Sequence, residues 1–259
     1  MDFGELIAII LPSLAAAAAD KKAEESDKCE YWPKTYTVDY SGSLSKHNSS
    51  TQISAWNIAF RLEVNAKMRR CRVISIFKWG AVAGDVTNKQ KRRTKRKFKA
   101  MVRRWSNRYK LKVVDPDCGT KTMRMKFKLL WSPDDTSDTA THKVNLIKNE
   151  PRAYVSGLNV HIGYNDVRDD GAWTLAHEYG HTVGLQDEYF YDAVTSATVT
   201  YKKADGSSEA VTLEPPNRNI MRTYANRRYR KRFFYYVAIE AQELLRKEAG
   251  RNNITCEIV

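Results

Sequence analysis

His177, Glu178, His181, Gly184 and Asp187 stand in the spacing H-E-x-x-H-x-x-G-x-x-D. On a helix, positions i and i+4 share one face. His177 and His181 can therefore aim two imidazoles at one point, where a divalent metal would sit. Glu178 follows the first histidine directly and can reach a metal-bound water as general base. Gly184 can take the positive φ that ends a helix and turns the chain back. That reversal carries Asp187 toward the histidines as third ligand, with Glu188 beside it as a rival. Three protein ligands and a water make the open arrangement of a catalytic site holding one Zn2+, unlike the closed four-ligand structural site.

The surrounding elements must hold these residues in place. Val167–Ala176 reads as a loop feeding an apolar helix, with Asp169 or Asp170 as its cap. Upstream, several stretches alternate with the period of strands. Trp56, Ile58, Phe60, Leu62 and Val64 share one face, and Val73–Trp79 follows. Met123, Met125, Phe127, Leu129 and Trp131 share a face opposite Arg124, Lys126 and Lys128. Leu158, Val160 and Ile162 form a short strand before the motif. A helix is predicted from about Val86 to Asn107, with Phe98, Met101, Val102, Trp105 and Tyr109 as its apolar stripe. Its remaining faces are densely basic. Asp205-Gly206 marks a hairpin between Ala197–Tyr201 and Ala210–Leu213, closed by Pro215 and Pro216. A last helix is predicted from Arg227 to Ala249, stopped by Gly250. Strands and helices mixed in this way read as an α+β chain.

The motif resembles that of the metzincin clan of zinc endopeptidases, in the minority whose third ligand is aspartate. The resemblance is specific over residues 169–224 and architectural elsewhere. It implies a zincin-like fold: a mixed twisted sheet with a basic helix, an active-site helix and a C-terminal helix. It implies a methionine turn beneath the metal, and Asn219-Ile220-Met221-Arg222-Thr223-Tyr224 looks like that turn, with Met221 as its methionine. Some clan members place a catalytic tyrosine two residues after the methionine. Here Tyr224 lies three residues after, with Arg222 and Thr223 between. The resemblance also implies that Leu158–Tyr164 is a sheet edge pairing with extended peptide. The string Gly184–Tyr189 is similar to metallopeptidase domains of bacterial secreted effectors and toxins.

The chain has 259 residues, ordinary hydrophobic (42%) and charged (29%) fractions, and a net charge of +14. That charge favours anionic partners: nucleic acid, membrane headgroups, cell-wall polymers, or an acidic inhibitor or immunity protein. The basic helix carries no aromatic side chains among its charges for base stacking, so nucleic acid is not an expected partner of the chain. Residues 1–30 form an apolar segment and linker, and 31–259 the metallopeptidase-like domain. The run Leu6–Ala19 is too short to span a bilayer. Its alanine-rich end suits export, although Asp2 and Glu5 stand where a signal has positive charge. Cys29, Cys71, Cys118 and Cys256 contain no C-x-x-C pair; they read as two disulfides of open pairing or as four buried thiols.

These readings lead to an expected zinc metalloendopeptidase, secreted or delivered to the periplasm or extracellular space, acting on protein or peptide. His177, His181 and Asp187 are its expected ligands, and Glu178 and Tyr224 its catalytic residues. Tyr189 reads as packing, and His161, His47 and His142 carry no motif. The alternatives are a hydrolase of cell-wall peptides, with the basic surface holding an anionic polymer, and a non-catalytic binding protein on the same scaffold.

Overall fold

The computed structural model describes residues 29–43, 46–50, 57–132, 142–148, 152–167, 172–189, 198–213, 219–222 and 227–259. The apolar segment 1–28, Trp56, the cap candidates Asp169 and Asp170, Pro215, Pro216 and Tyr224 lie outside the described residues.

The chain is α+β. Nine strands form one mixed sheet. They are β1 (Tyr36–Ser43), β3 (Asn57–Asn65), β4 (Arg70–Val82), β5 (Lys110–Asp115), β6 (Gly119–Trp131), β7 (His142–Ile147), β8 (Tyr154–Ser156), β9 (Asn159–Gly163) and β12 (Thr255–Ile258). Their main path runs β12-β5-β6-β4-β7-β9-β8, and β3 joins β4 and carries β1. The long strand β4 makes this branching possible. Its first half pairs antiparallel with β3, while its second half pairs parallel with β7 across a bulge between Trp79 and Val82. The expected alternation is what the sheet uses: Met123, Met125, Phe127 and Leu129 are buried while Arg124, Lys126 and Lys128 face out. A second, three-stranded sheet joins β2 (Asn48–Ser50), β10 (Thr198–Lys202) and β11 (Ser208–Thr212). The β10–β11 hairpin turns through Gly206 at φ 85°.

Three α-helices occur among the described residues: α1 (Asn88–Arg103), α2 (Ala172–Thr182) and α3 (Tyr235–Ala249). None is long and apolar enough to cross a membrane. Helix α1 is shorter than the Val86–Asn107 expected from its stripe. Thr87 and Gln90 form a reciprocal cap at its start. Beyond its end Asn107 turns left-handed (φ 59°), and its N–H bonds to Met125 on β6. Trp105 thus leaves the helix yet stays fully buried, where its Nε1–H donates to the Ala176 carbonyl of α2 (3.1 Å).

Helix α3 also starts later than its pattern predicts. A 3-10 turn at Lys231–Phe234 precedes it, and Arg228 accepts a backbone hydrogen bond from Ile220 (2.8 Å). That pairing and the burial of Tyr229 against Trp105 hold Arg227–Arg230 out of the helix.

Cysteine usage matches neither expectation. Cys29 and Cys118 form a disulfide closing a separation of 89 residues, and Cys71 and Cys256 are buried thiols. A loop of that size contributes on the order of 4 kcal/mol through the unfolded state. Burial pushes the Cys71 thiol up to about 12 and raises Cys256 as well, so neither is a nucleophile at neutral pH.

The segment Leu158–Tyr164 is not an edge. Strand β9 pairs on both sides, parallel with β7 and antiparallel with β8. The edge beside α2 is β8, because the short β8–β9 hairpin folds back over the place where β9 would have been open.

Candidate metal centre

Helix α2 is buried along nearly its whole length, Trp173 excepted. Its C-terminus is a Schellman motif. Gly184 takes φ 94°, Leu185 N–H reaches back to the Gly180 carbonyl (2.9 Å), and Gly184 N–H reaches the His181 carbonyl (3.0 Å). Asn48 on β2 holds the turn from outside, donating to the Gly184 carbonyl (2.6 Å) and accepting from Gln186 (3.1 Å).

The reversal brings Asp187 onto the two histidines. His177 Nε2 and His181 Nε2 are 3.2 Å apart, and Asp187 Oδ1 lies 3.1 and 3.3 Å from them. All three residues are buried. A tetrahedral ion with bonds of about 2.05 Å has ligand–ligand edges of about 3.3 Å, so this triangle has the size of one face of a zinc site.

The hydrogen bonds behind the rings fix their chemistry. His177 Nδ1–H donates to the Ile220 carbonyl (2.8 Å), and His181 Nδ1–H donates to the Leu185 carbonyl (2.7 Å). With each proton committed at Nδ1, both neutral rings turn an Nε2 lone pair toward a carboxylate oxygen. Three acceptor atoms then face one another at 3.1–3.3 Å. A proton or a cation shared among them relieves that arrangement.

Compared with protein-family models, with curated proteins and with solved structures, the chain matches none. The centre is therefore read from its own geometry.

In the metal-free chain protons take up the strain. Burial opposes charge on His181, but the adjacent Asp187 carboxylate outweighs it and pushes the imidazole up to about 9. Burial would raise Asp187, yet the His181 and His177 partners hold its carboxyl well below the usual range. A metal must displace the His181 proton, which is bound below pH 9 in the free chain and absent from the complex. Metal affinity is therefore expected to rise with pH up to about 9 and level off above it, by as much as about tenfold per unit. Competition against a chromophoric chelator from pH 7 to 10 measures this, and an affinity flat across that range would refute the displaced proton.

The two neighbouring acids divide their roles. Glu188, the rival third ligand, is fully buried and faces away from the triad. It accepts two hydrogen bonds from Arg232 (both 2.7 Å), one from Tyr201 OH (2.8 Å) and one from Asn219 Nδ2 (2.6 Å). Asn219 Oδ1 in turn receives the N–H groups of Met221 and Arg222 (2.9 and 3.1 Å), and Glu188 N–H donates to the Met221 carbonyl (2.9 Å). This knot fixes the segment whose Ile220 carbonyl orients His177. Met221 packs under α2 at Gly180, where an added Cβ would collide with its Sδ. The second variable position of the motif is thus a glycine because the thioether occupies that space.

Glu178 is buried beside the triad, and its Oε2 has no hydrogen-bond partner among the described residues. Burial raises its pKa, partly offset by His177 and His181. It lines a cavity of about 50 Å³ with the triad, Tyr189 and residues Arg152–Val155 of the β8 edge. That volume has room for an ion's remaining ligand, since a water's share of liquid is about 30 Å³. Arg152 donates to Tyr189 OH at the rim, so Tyr189 serves the cavity mouth as well as packing.

The other histidines stand apart from this cluster. His161 stacks on Tyr154 across β8–β9 (centroids 4.3 Å) and contacts Asn145 (3.3 Å). His142 is buried and held neutral, its pKa lowered to about 3 by burial. His47 is buried against Glu240 (2.7 Å). Arg232, Tyr201 and Asn48 have no site role legible in the sequence, and Asn219 only a place in the methionine-turn segment, because no local spacing links their side chains to the motif.

Proposed function

We propose that the chain is a zinc-dependent endopeptidase of metzincin-like architecture, with His177, His181 and Asp187 as ligands and Glu178 as the proton-transfer group. One observation carries the reading: three buried acceptor atoms converge at tetrahedral-edge distances while both Nδ1 protons are held elsewhere. Two imidazoles and a carboxylate suit zinc. The chain reversal at Gly184 and the placement of Met221 beneath α2 add support from the architecture.

Zinc, when bound, supplies Lewis acidity toward a peptide carbonyl and toward water. Glu178 takes a proton from that water and returns it to the leaving amine. Its raised pKa suits a group that must keep a proton between two transfers. Ile220 and Leu185 hold the imidazoles in the tautomer that leaves Nε2 free to ligate. Asp187 contributes a negative charge to the ligand set that a third histidine would not. The Cys29–Cys118 bridge favours an oxidising compartment, in keeping with a secreted or delivered enzyme.

Metal analysis of the purified full chain, together with its incubation with an unfolded protein, tests the reading. The expected result is about one zinc per chain and new amino termini in the substrate. A chelator should stop the cleavage and added zinc restore it. A chain that takes up no zinc would overturn the proposal. One that binds zinc and opens only cell-wall peptide crosslinks would move the substrate class.

A further inference from the structure

A row of like charge lies on the outer face of the large sheet, on residues that the metal centre does not use. There β4, β6 and β5 run side by side. Register places Arg70 opposite Arg124, and Arg124 opposite Lys110, so three cations stand in one row across three strands. In the next row Arg72 stands opposite Lys126. Like charges directly opposite one another destabilise a sheet unless an anion lies between them. These side chains and Arg69 line a groove of about 670 Å³ in which no lining residue is acidic. Glu63, across from Arg72 on β3, is the acid that approaches the row (3.4 Å).

A second observation comes from the backbone. Among the described residues, the non-glycine residues at positive φ are Arg69 (49°) and Asn107 (59°), and both line this groove. A left-handed arginine is strained, and strain of this kind collects where a side chain must be aimed. Arg69 sits in the β3–β4 turn, beside the exposed Met68.

We propose that this groove binds the sugar–phosphate backbone of a single nucleic-acid strand, without reading its bases. Guanidinium forks match phosphate oxygens two at a time, and most of the groove's cations are arginines. Cations two residues apart along β4 and β6 repeat every ~6.7 Å, a separation comparable to that of successive phosphates on an extended strand. The lining contains no aromatic ring, so here, as on α1, bases have no stacking platform; what sets this groove apart from α1 is its concave arginine-rich row, which holds phosphates alone. An acidic protein would need an apolar anchor at the centre of its contact, and this groove has only Met68 at the rim. The ligand not expected from the sequence is placed here instead, on charges that only strand pairing assembles.

Fluorescence anisotropy of a short labelled poly-thymidine strand with the full chain, between about 50 and 200 mM salt, tests this. Neutralising four to six phosphates predicts a slope of log K against log salt of about −3 to −4. The pair Arg124→Glu and Lys126→Glu should weaken binding at least about tenfold. Lys91→Glu with Lys99→Glu on α1 makes the same charge change and should leave binding within about twofold. Arg69→Gly should weaken binding while raising the melting temperature, because it removes a phosphate contact and relieves the left-handed backbone; this readout survives even if the double variant folds poorly. The proposal is overturned if the strand does not bind at the lowest salt, or if the two charge-matched pairs weaken it equally. Tighter binding of polyglutamate or of phosphatidylglycerol vesicles would overturn it as well.

Discussion

On the proposed function, Glu178→Gln is expected to lower peptide hydrolysis by about 10³- to 10⁴-fold while zinc binding is kept. The asymmetry follows from where the carboxylate stands. It borders the cavity with the triad, and the three converging ligand atoms belong to other residues. Removing its charge therefore leaves the donor set intact. Glutamine keeps the shape and the hydrogen-bonding oxygen but cannot accept the proton. The fold should not suffer, since Glu178 Oε2 has no hydrogen-bond partner to lose among the described residues. Burial already disfavours the ionised carboxyl, so a neutral amide should hold or slightly raise the melting temperature. An inactive, zinc-loaded and fully stable variant separates a chemical role from a structural one. Turnover within about tenfold of the parent would remove Glu178 from the proton path.

The centre was largely legible in the sequence because its parts are local. Eleven residues, His177 to Asp187, hold both imidazoles, the carboxylate and the glycine that folds them together. Helical period and the conformational freedom of glycine are enough to relate them. Strand alternation was legible for the same reason, and β6 buries every second residue as its pattern predicts. What the sequence hid depends on pairing between distant segments. Leu158–Tyr164 reads as an edge until β8 is seen to fold over it. The cysteines give no preference among partners, because only the approach of residues 29 and 118 decides it. Arg227–Arg230 looks helical by pattern, yet it stays outside the helix, with the Arg228 carbonyl accepting a hydrogen bond from Ile220 N–H. The cationic rows on β4, β5 and β6 exist only once the register is fixed. Near the centre, the adjacent acids Asp187 and Glu188 are chemically alike. The division between them is made by Arg232, 44 residues away, and by Asn219, 31 residues away.

That division predicts a large loss of stability when it is undone. Arg232→Leu would leave the fully buried Glu188 carboxylate without its bidentate partner. Stripping one member from a buried ion pair costs about 3–5 kcal/mol, and a melting temperature lower by roughly 10 °C is expected for a chain of this size. Tyr201 OH and Asn219 Nδ2, which also donate to it, are neutral and do not replace the guanidinium. Replacing both members, Arg232→Leu with Glu188→Leu, should recover much of the loss, because the uncompensated charge is gone. The metal centre should report the same event by a separate route. Glu188 and Asn219 hold the segment that presents the Ile220 carbonyl to His177. Loosening it should weaken zinc binding about 10- to 100-fold, even well below the melting temperature. Thermal unfolding and chelator competition on the parent, both single variants and the double variant measure the two effects together. If Arg232→Leu melts with the parent, the guanidinium is not what keeps Glu188 folded inward. If the variant melts early yet binds zinc as tightly as before, the knot stabilises the fold without orienting the ligand.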